Sequence, residues 1–200
     1  MSRSAVGALW AVVAFSPAAC GAPVPVTGPE LEYLSIAELE ADARARGWDE
    51  QAAILADGVV TRAEYEQALD DTRACAERDG NGITDPVLSP IDNLTLEFGF
   101  PQGAMTEDDV WEMSDQCLQR YFWSVQNGYQ STHDAVMDAD ILGASLSCMR
   151  ERGHTIAEEV TNAGQMAVQV GREGEVELAE CISESAMRLR PDREGIGVFW

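Results

Sequence analysis

Cys75-Ala-Glu-Arg-Asp-Gly80 and Cys148-Met-Arg-Glu-Arg-Gly153 decide how this chain is read. Each is a cysteine, four mostly charged residues and a glycine, and each closes a stretch of helical period. Each is followed downstream by one further cysteine, Cys117 and Cys181, again within a helical period. The pattern is that of two units, each a helix ending in Cys-x4-Gly, a connecting segment and a second helix carrying a cysteine. Four cysteines admit three pairings, and spacing alone does not choose among them. The repeat does: Cys75 pairs with Cys117, and Cys148 with Cys181. The fold class that follows is mainly α, a disulfide-linked helical domain with a possible internal duplication.

Local signals fill in the helices. Ser35 with Glu38 three residues on forms a capping box, Ile36, Leu39 and Ala43 make an apolar stripe, and Gly47 ends the helix. Asp49 is expected to cap a short second helix through Ile54 and Leu55. Thr61 and Glu64 form another capping box, and the helix behind them puts Tyr65, Ala68 or Leu69, Thr72 and Cys75 or Ala76 on one face. Thr106 opens a helix whose first turn is acidic, as the helix dipole favours, with Val110, Met113, Cys117, Tyr121 and Val125 at helical spacing. Residues 134–152 read as a further helix with Met137, Ile141, Ala144 and Cys148 inward. Thr155 and Glu158 read as its successor's capping box. Residues 176–189 read as the last helix, with Leu178, Ile182, Ser185 and Leu189 inward and Pro191 as its stop.

The period changes between Gly82 and Phe100. Leu94, Leu96, Phe98 and Phe100 alternate with Thr95, Glu97 and Gly99, as in a half-buried strand. Asp85-Pro86-Val87-Leu88 suits an edge partner, where proline is tolerated, and residues 89–93 suit the turn. A small β-hairpin at about residues 83–100 is therefore expected.

The N-terminus has the three-part layout of an export signal. Arg3 is the positive start, Ala5 to Phe15 is an apolar run too short to span a bilayer, and Ser16-Pro17-Ala18-Ala19 is a small-residue cleavage region before Cys20. Here the chain resembles bacterial lipoprotein precursors, whose lipobox is aliphatic, small, small, Cys. Ala18, Ala19 and Cys20 match it, whereas Pro17 stands where leucine is usual. The resemblance implies a lipid on Cys20; the alternative is ordinary cleavage after Ala18 and secretion. Residues 1–19 are then the signal and residues 20–33, with Pro23, Pro25 and Pro29, an extended tether. The helical domain runs over residues 34–190, with units at about 61–128 and 134–190. The tail, residues 191–200, is expected either to move freely or to tuck its Val198-Phe199-Trp200 end into a groove.

Charge narrows the function classes. The 200 residues hold 35 acids and 13 basic residues, all of them arginine. Without Arg3 the balance is 35 acids against 12 arginines, or −23. Such a surface disfavours nucleic acid, whose phosphates need neutralising cations, and disfavours adsorption to anionic lipid. Membrane contact would have to come through acyl chains, and cations would associate only diffusely.

Motifs for chemistry are sparse. Asp57 to Glu64 looks like the second half of an EF-hand loop, but the first acidic positions would fall on Ala53 and Leu55, so a turn followed by a capped helix is the better reading. No Cys-x2-Cys pair exists and no histidine flanks a cysteine at ligand spacing, so neither a metal nor a cofactor is implied. Gly-x-Ser-x-Gly, His-Glu-x-x-His and Ser-x-x-Lys are all missing from the sequence. His133 and His154 read as surface or capping histidines. Trp111, Tyr121, Phe122 and Trp123 crowd one helix and read first as core packing, because Tyr121 lies on the Cys117 stripe. The functional alternative is a partner-binding face made by Trp111 and Phe122, which lie off that stripe.

Taken together, Cys20, the Asp57-Gly58-Val59-Val60-Thr61 entry into a helix with Glu64 and Tyr65, and the repeated Cys-x4-Gly resemble the small cysteine-bearing lipoproteins of actinobacteria. That resemblance implies an exported, mostly helical domain with no assigned activity. The expectation is a lipid-anchored, non-enzymatic domain of the cell envelope that binds an envelope partner. The alternative is an envelope hydrolase using His154 or a carboxylate pair.

Overall fold

The computed structural model describes residues 34–193 and 195–198. The segments expected as export signal and tether, with Cys20, and the tail residues Phe199 and Trp200 lie outside the described residues. The described chain is mainly helical, with one antiparallel hairpin: α1 (Ile36–Arg46), α2 (Asp49–Leu55), α3 (Arg62–Arg78), β1 (Val87–Leu88), β2 (Leu96–Glu97), α4 (Glu107–Tyr121), α5 (Trp123–Thr132), α6 (Ala139–Glu151) and α7 (Ala163–Leu189).

Helix starts follow local chemistry. Ser35 and Thr61 both make full capping boxes with Glu38 and Glu64, and Thr106 accepts from the Asp109 amide. Ile36, Leu39 and Ala43 are the buried face of α1, and Gly47 closes it at φ 71°. Trp48 rather than Asp49 is the residue before α2, and its side chain makes no cap. Val87 pairs with Glu97 and Leu88 with Leu96, which is the expected hairpin.

Two cores form. The first gathers Ile36, Leu39, Leu55, Val60, Tyr65, Leu69, Leu94, Leu96, Phe122, Val125 and Tyr129 from α1, α2, α3, α5 and the hairpin. The second gathers Met137, Ile141, Met149, Met166, Leu178 and Ile182 from α6, α7 and the segment before α6, and takes Ile91 from the hairpin loop. The hairpin thus contributes to both. Gly128 lets α5 approach closely: a Cβ there would lie 2.8 Å from Leu55 Cδ2 and 3.0 Å from Val60 Cγ2. The two disulfides have the expected partners. Cys75–Cys117 joins α3 to α4 and Cys148–Cys181 joins α6 to α7, each with its Cα atoms 5.7 Å apart.

Helix boundaries differ from the periodic reading where distant segments or local caps take the backbone bonds. The helix expected over residues 134–152 begins only at Ala139. The amides before it are taken by other segments: Val136 donates to Asp92 O, Met137 to Thr161 O and Asp138 to Pro90 O, at 2.8–2.9 Å. The helix expected to run from Thr106 past Val125 breaks at Phe122 (φ −122°, ψ −50°). The buried Gln51 side chain spans that break, donating to Gln119 O at 2.8 Å and accepting from Ser124 N at 2.8 Å. Helical backbone begins at Ala163, where Asn162 caps it through the Gln165 amide, but Gly171 at φ 64° and ψ 177° breaks α7 into two helical segments. The second carries the buried Leu178, Ile182 and Ser185 expected of the last helix. Thr155 and Glu158 start no helix; the Ala157 amide goes instead to Gln169 Oε1 at 2.7 Å.

The tail is held over the residues described. Arg193 pairs with Glu97, and Ile196 and Val198 pack against the second core.

Candidate functional site

His154 follows the Gly153 turn after α6, and its backbone amide donates to Met149 O. Its Nε2 lies 2.7 Å from Glu177 Oε2 of α7, and its ring rests against Gly174, where a Cβ would come within 3.0 Å of Cε1. Arg152 beside it reaches Glu180 at 2.5 Å and Glu184 at 3.7 Å. A histidine held by a carboxylate is half of a nucleophile-activating arrangement. The other half is a hydroxyl or thiol on the histidine, and among the described residues none hydrogen-bonds to His154. The cysteines nearest in sequence, Cys148 and Cys181, are bonded to each other. As built, the arrangement clamps the end of α6 onto α7.

His133 lies elsewhere. Its Nδ1 is 2.8 Å from Tyr129 O, and its ring packs on Tyr129 with centroids 4.1 Å apart. It finishes α5 and reaches no carboxylate among the described residues.

At Asp57, the carboxylate accepts from the Val59 amide and Gly58 takes φ 81°. Both the amide and the hydroxyl of Thr61 donate to Glu64 Oε2. These are the bonds of a turn and a capped helix, and they occupy the Glu64 oxygen that a calcium loop would use. Asp79 has a carboxylate oxygen within 4.8 Å of the Cys75 and Cys117 sulfurs, but these sulfurs form a disulfide rather than thiolate ligands.

Buried polar groups do structural work. Tyr65 stacks between Phe122 and Tyr129, with centroids 5.4 and 4.8 Å away. Its hydroxyl accepts from the Leu96 amide at 3.1 Å and donates to Gln126 Oε1 at 3.2 Å, tying α3 to the hairpin and α5. Burial pushes this phenol up to about 12, against the hydrogen bond from the Leu96 amide, which lowers it.

Of Trp111 and Phe122 only the first is on the surface, and Phe122 takes the core role expected first for these aromatics. Trp111 stands 69% exposed on α4, but Phe122 is 1% exposed and belongs to the first core. On an unbroken helix Phe122 would point away from Cys117. The break at Phe122 turns it inward against Tyr65 and Phe98, and leaves Trp123 42% exposed instead. The indole of Trp111 therefore stands without Phe122, surrounded on its own helix by Glu107, Asp108, Glu112 and Asp115, all exposed. Sequence periodicity found Trp111. It missed Gln51 and the Arg193–Glu97 pair, which no local pattern marks.

Compared with protein-family models, with curated proteins and with solved structures, the chain gives no significant match in any of the three. The geometry by itself defines a class: a helical domain closed by two disulfides, with a solvent-facing tryptophan among carboxylates. Two disulfides between packed helices indicate an oxidising, extracytoplasmic environment. No helix among the described residues is long and apolar enough to cross a membrane.

Proposed function

We propose that this chain is a lipid-anchored binding domain of the cell envelope and not an enzyme. The observation that carries the reading is a count of sulfurs. Cys75, Cys117, Cys148 and Cys181 are used in two disulfides. Of the five cysteines, that leaves Cys20, which the sequence places behind Ala18 and Ala19 at the end of an export signal. A fifth sulfur in an oxidising space would otherwise be an unpaired, reactive thiol, and acylation consumes it. The proline-bearing segment behind Cys20 supplies the reach from the bilayer, and the domain's negative charge keeps it in solution above an anionic surface.

Intact-mass measurement of membrane-extracted protein tests this directly. The expected species begins at Cys20, carries diacyl or triacyl mass and gains four protons on reduction. C20S should leave the membrane fraction. A chain beginning at Ala19 without acyl mass would overturn the anchor in favour of secretion.

A further inference from the structure

We infer that the outward face of α4 around Trp111 is a docking surface for a cationic polypeptide segment, one presenting arginine or lysine side chains. This rests on the reading of the domain as a binding module and names the chemistry of its partner.

A tryptophan exposed to 69% leaves most of its apolar surface in water. Its surroundings are of one sign. Residues three and four apart on a helix are neighbours, which sets Glu107 and Asp108 one turn before Trp111 and Asp115 one turn after. Helical side chains tilt toward the N-terminus, so the indole leans over the turn that carries Glu107 and Asp108.

These carboxylates are free of cations. Among the described residues, none of Glu107, Asp108, Glu112 and Asp115 meets an arginine within ion-pair distance. Glu112 and Asp115 accept only from the neutral Gln116 and Gln119. Seven arginines hold carboxylates elsewhere: Arg44, Arg46, Arg62, Arg73, Arg152, Arg190 and Arg193. Arg120, at the far end of α4, lies over Tyr121. An indole face attracts a cation through its quadrupole, and a neighbouring carboxylate attracts the same cation by charge. A guanidinium laid on Trp111 meets both at once, which a neutral or anionic partner does not. The acid-rich first turn already satisfies the helix dipole, so the additional negative charge at Glu112 and Asp115 is not explained by capping.

The test titrates the full chain with a short synthetic peptide of alternating arginine and serine, followed by calorimetry and by the indole N–H signals in NMR. W111F assigns the Trp111 signal. The expected result is a shift of that signal and of the α4 amides. W111A and D108N/D115N should each weaken binding about tenfold, W111F less, and added salt should weaken it further. E173Q/E175Q, which removes the same charge from exposed positions on α7, should change it by less than about twofold. Thermal melting of each variant checks that the fold is retained. Equal binding by wild type and W111A would show diffuse attraction to an acidic protein and overturn the inference. So would equal binding of the citrulline counterpart of the peptide, or a Trp111 shift produced by a neutral oligosaccharide and not by the arginine peptide. The acyl mass on Cys20 is measured independently, so failure of the anchor and failure of this surface are distinguishable.

Discussion

Arg193, beyond the last helix, closes onto Glu97 of the hairpin, 96 residues earlier in the chain. Both side chains are nearly buried, at 15% and 16% exposure, and the same guanidinium lies 3.4 Å from Leu88 O. The second carboxylate oxygen of Glu97 is buried without a hydrogen-bond partner. Removing the arginine would strand a carboxylate that water reaches poorly. R193A should cost roughly 2–4 kcal/mol, while R193A combined with E97A should cost less than R193A alone. Urea unfolding of the four members of that cycle measures the difference. Additive losses would mean that the two residues are not coupled.

Gln51 acts at a helix junction. Its amide supplies the Gln119 carbonyl with a donor and the Ser124 amide with an acceptor, serving the end of α4 and the start of α5 with one buried side chain. Q51L keeps much of the volume and removes both bonds. The expected loss is about 2–3 kcal/mol, because two backbone groups remain buried and unpaired. Hydrogen exchange should quicken at Ser124 and Val125 first. Unchanged protection there would remove Gln51 from this role.

Tyr65 makes stability depend on alkaline pH. Its folded-state pKa, about 12, is raised from an ordinary 10.0 by burial. A raised value favours the protonated form in the fold, so its contribution is complete below pH 10 and is lost as pH rises through about 12. The loss should approach about 2–3 kcal/mol, at 1.36 kcal/mol per unit. Between pH 10 and 12 wild type should lose stability faster than Y65F. Absorbance titration should show one late tyrosine ionisation that Y65F lacks.

The disulfides should contribute separately. They close loops with separations of 42 and 33 residues, and each should stabilise the fold by roughly 3–4 kcal/mol by restricting the unfolded chain. C75A/C117A and C148A/C181A should both melt earlier. Non-reducing peptide mapping should recover Cys75 with Cys117 and Cys148 with Cys181. Recovery of either crossed pairing would contradict the fold.

What the sequence determined by itself is everything that local chemistry controls. The Cys-x4-Gly repeat named both disulfides, because a cysteine near each helix end has one equivalent partner in the next helix of its unit. Ser35 with Glu38 and Thr61 with Glu64 marked two helix starts, because a capping box is closed within four residues. Alternation from Leu94 to Phe100 marked where the hairpin lies, although only Leu96–Glu97 pairs as strand and Thr95 is buried beside Leu94 and Leu96.

Only the tertiary structure decided where backbone bonds left their own segment. The Val136, Met137 and Asp138 amides go to Asp92, Thr161 and Pro90, so α6 starts later than its apolar period implies. Gln51, from a helix 68 residues away, bridges the break between α4 and α5, and that break buries Phe122 and leaves Trp111 to stand without it. A period reports which face of an uninterrupted helix meets the core. It carries no information about where packing breaks a helix, and so the withdrawal of Phe122 from the side of Trp111 could be settled only by the tertiary structure.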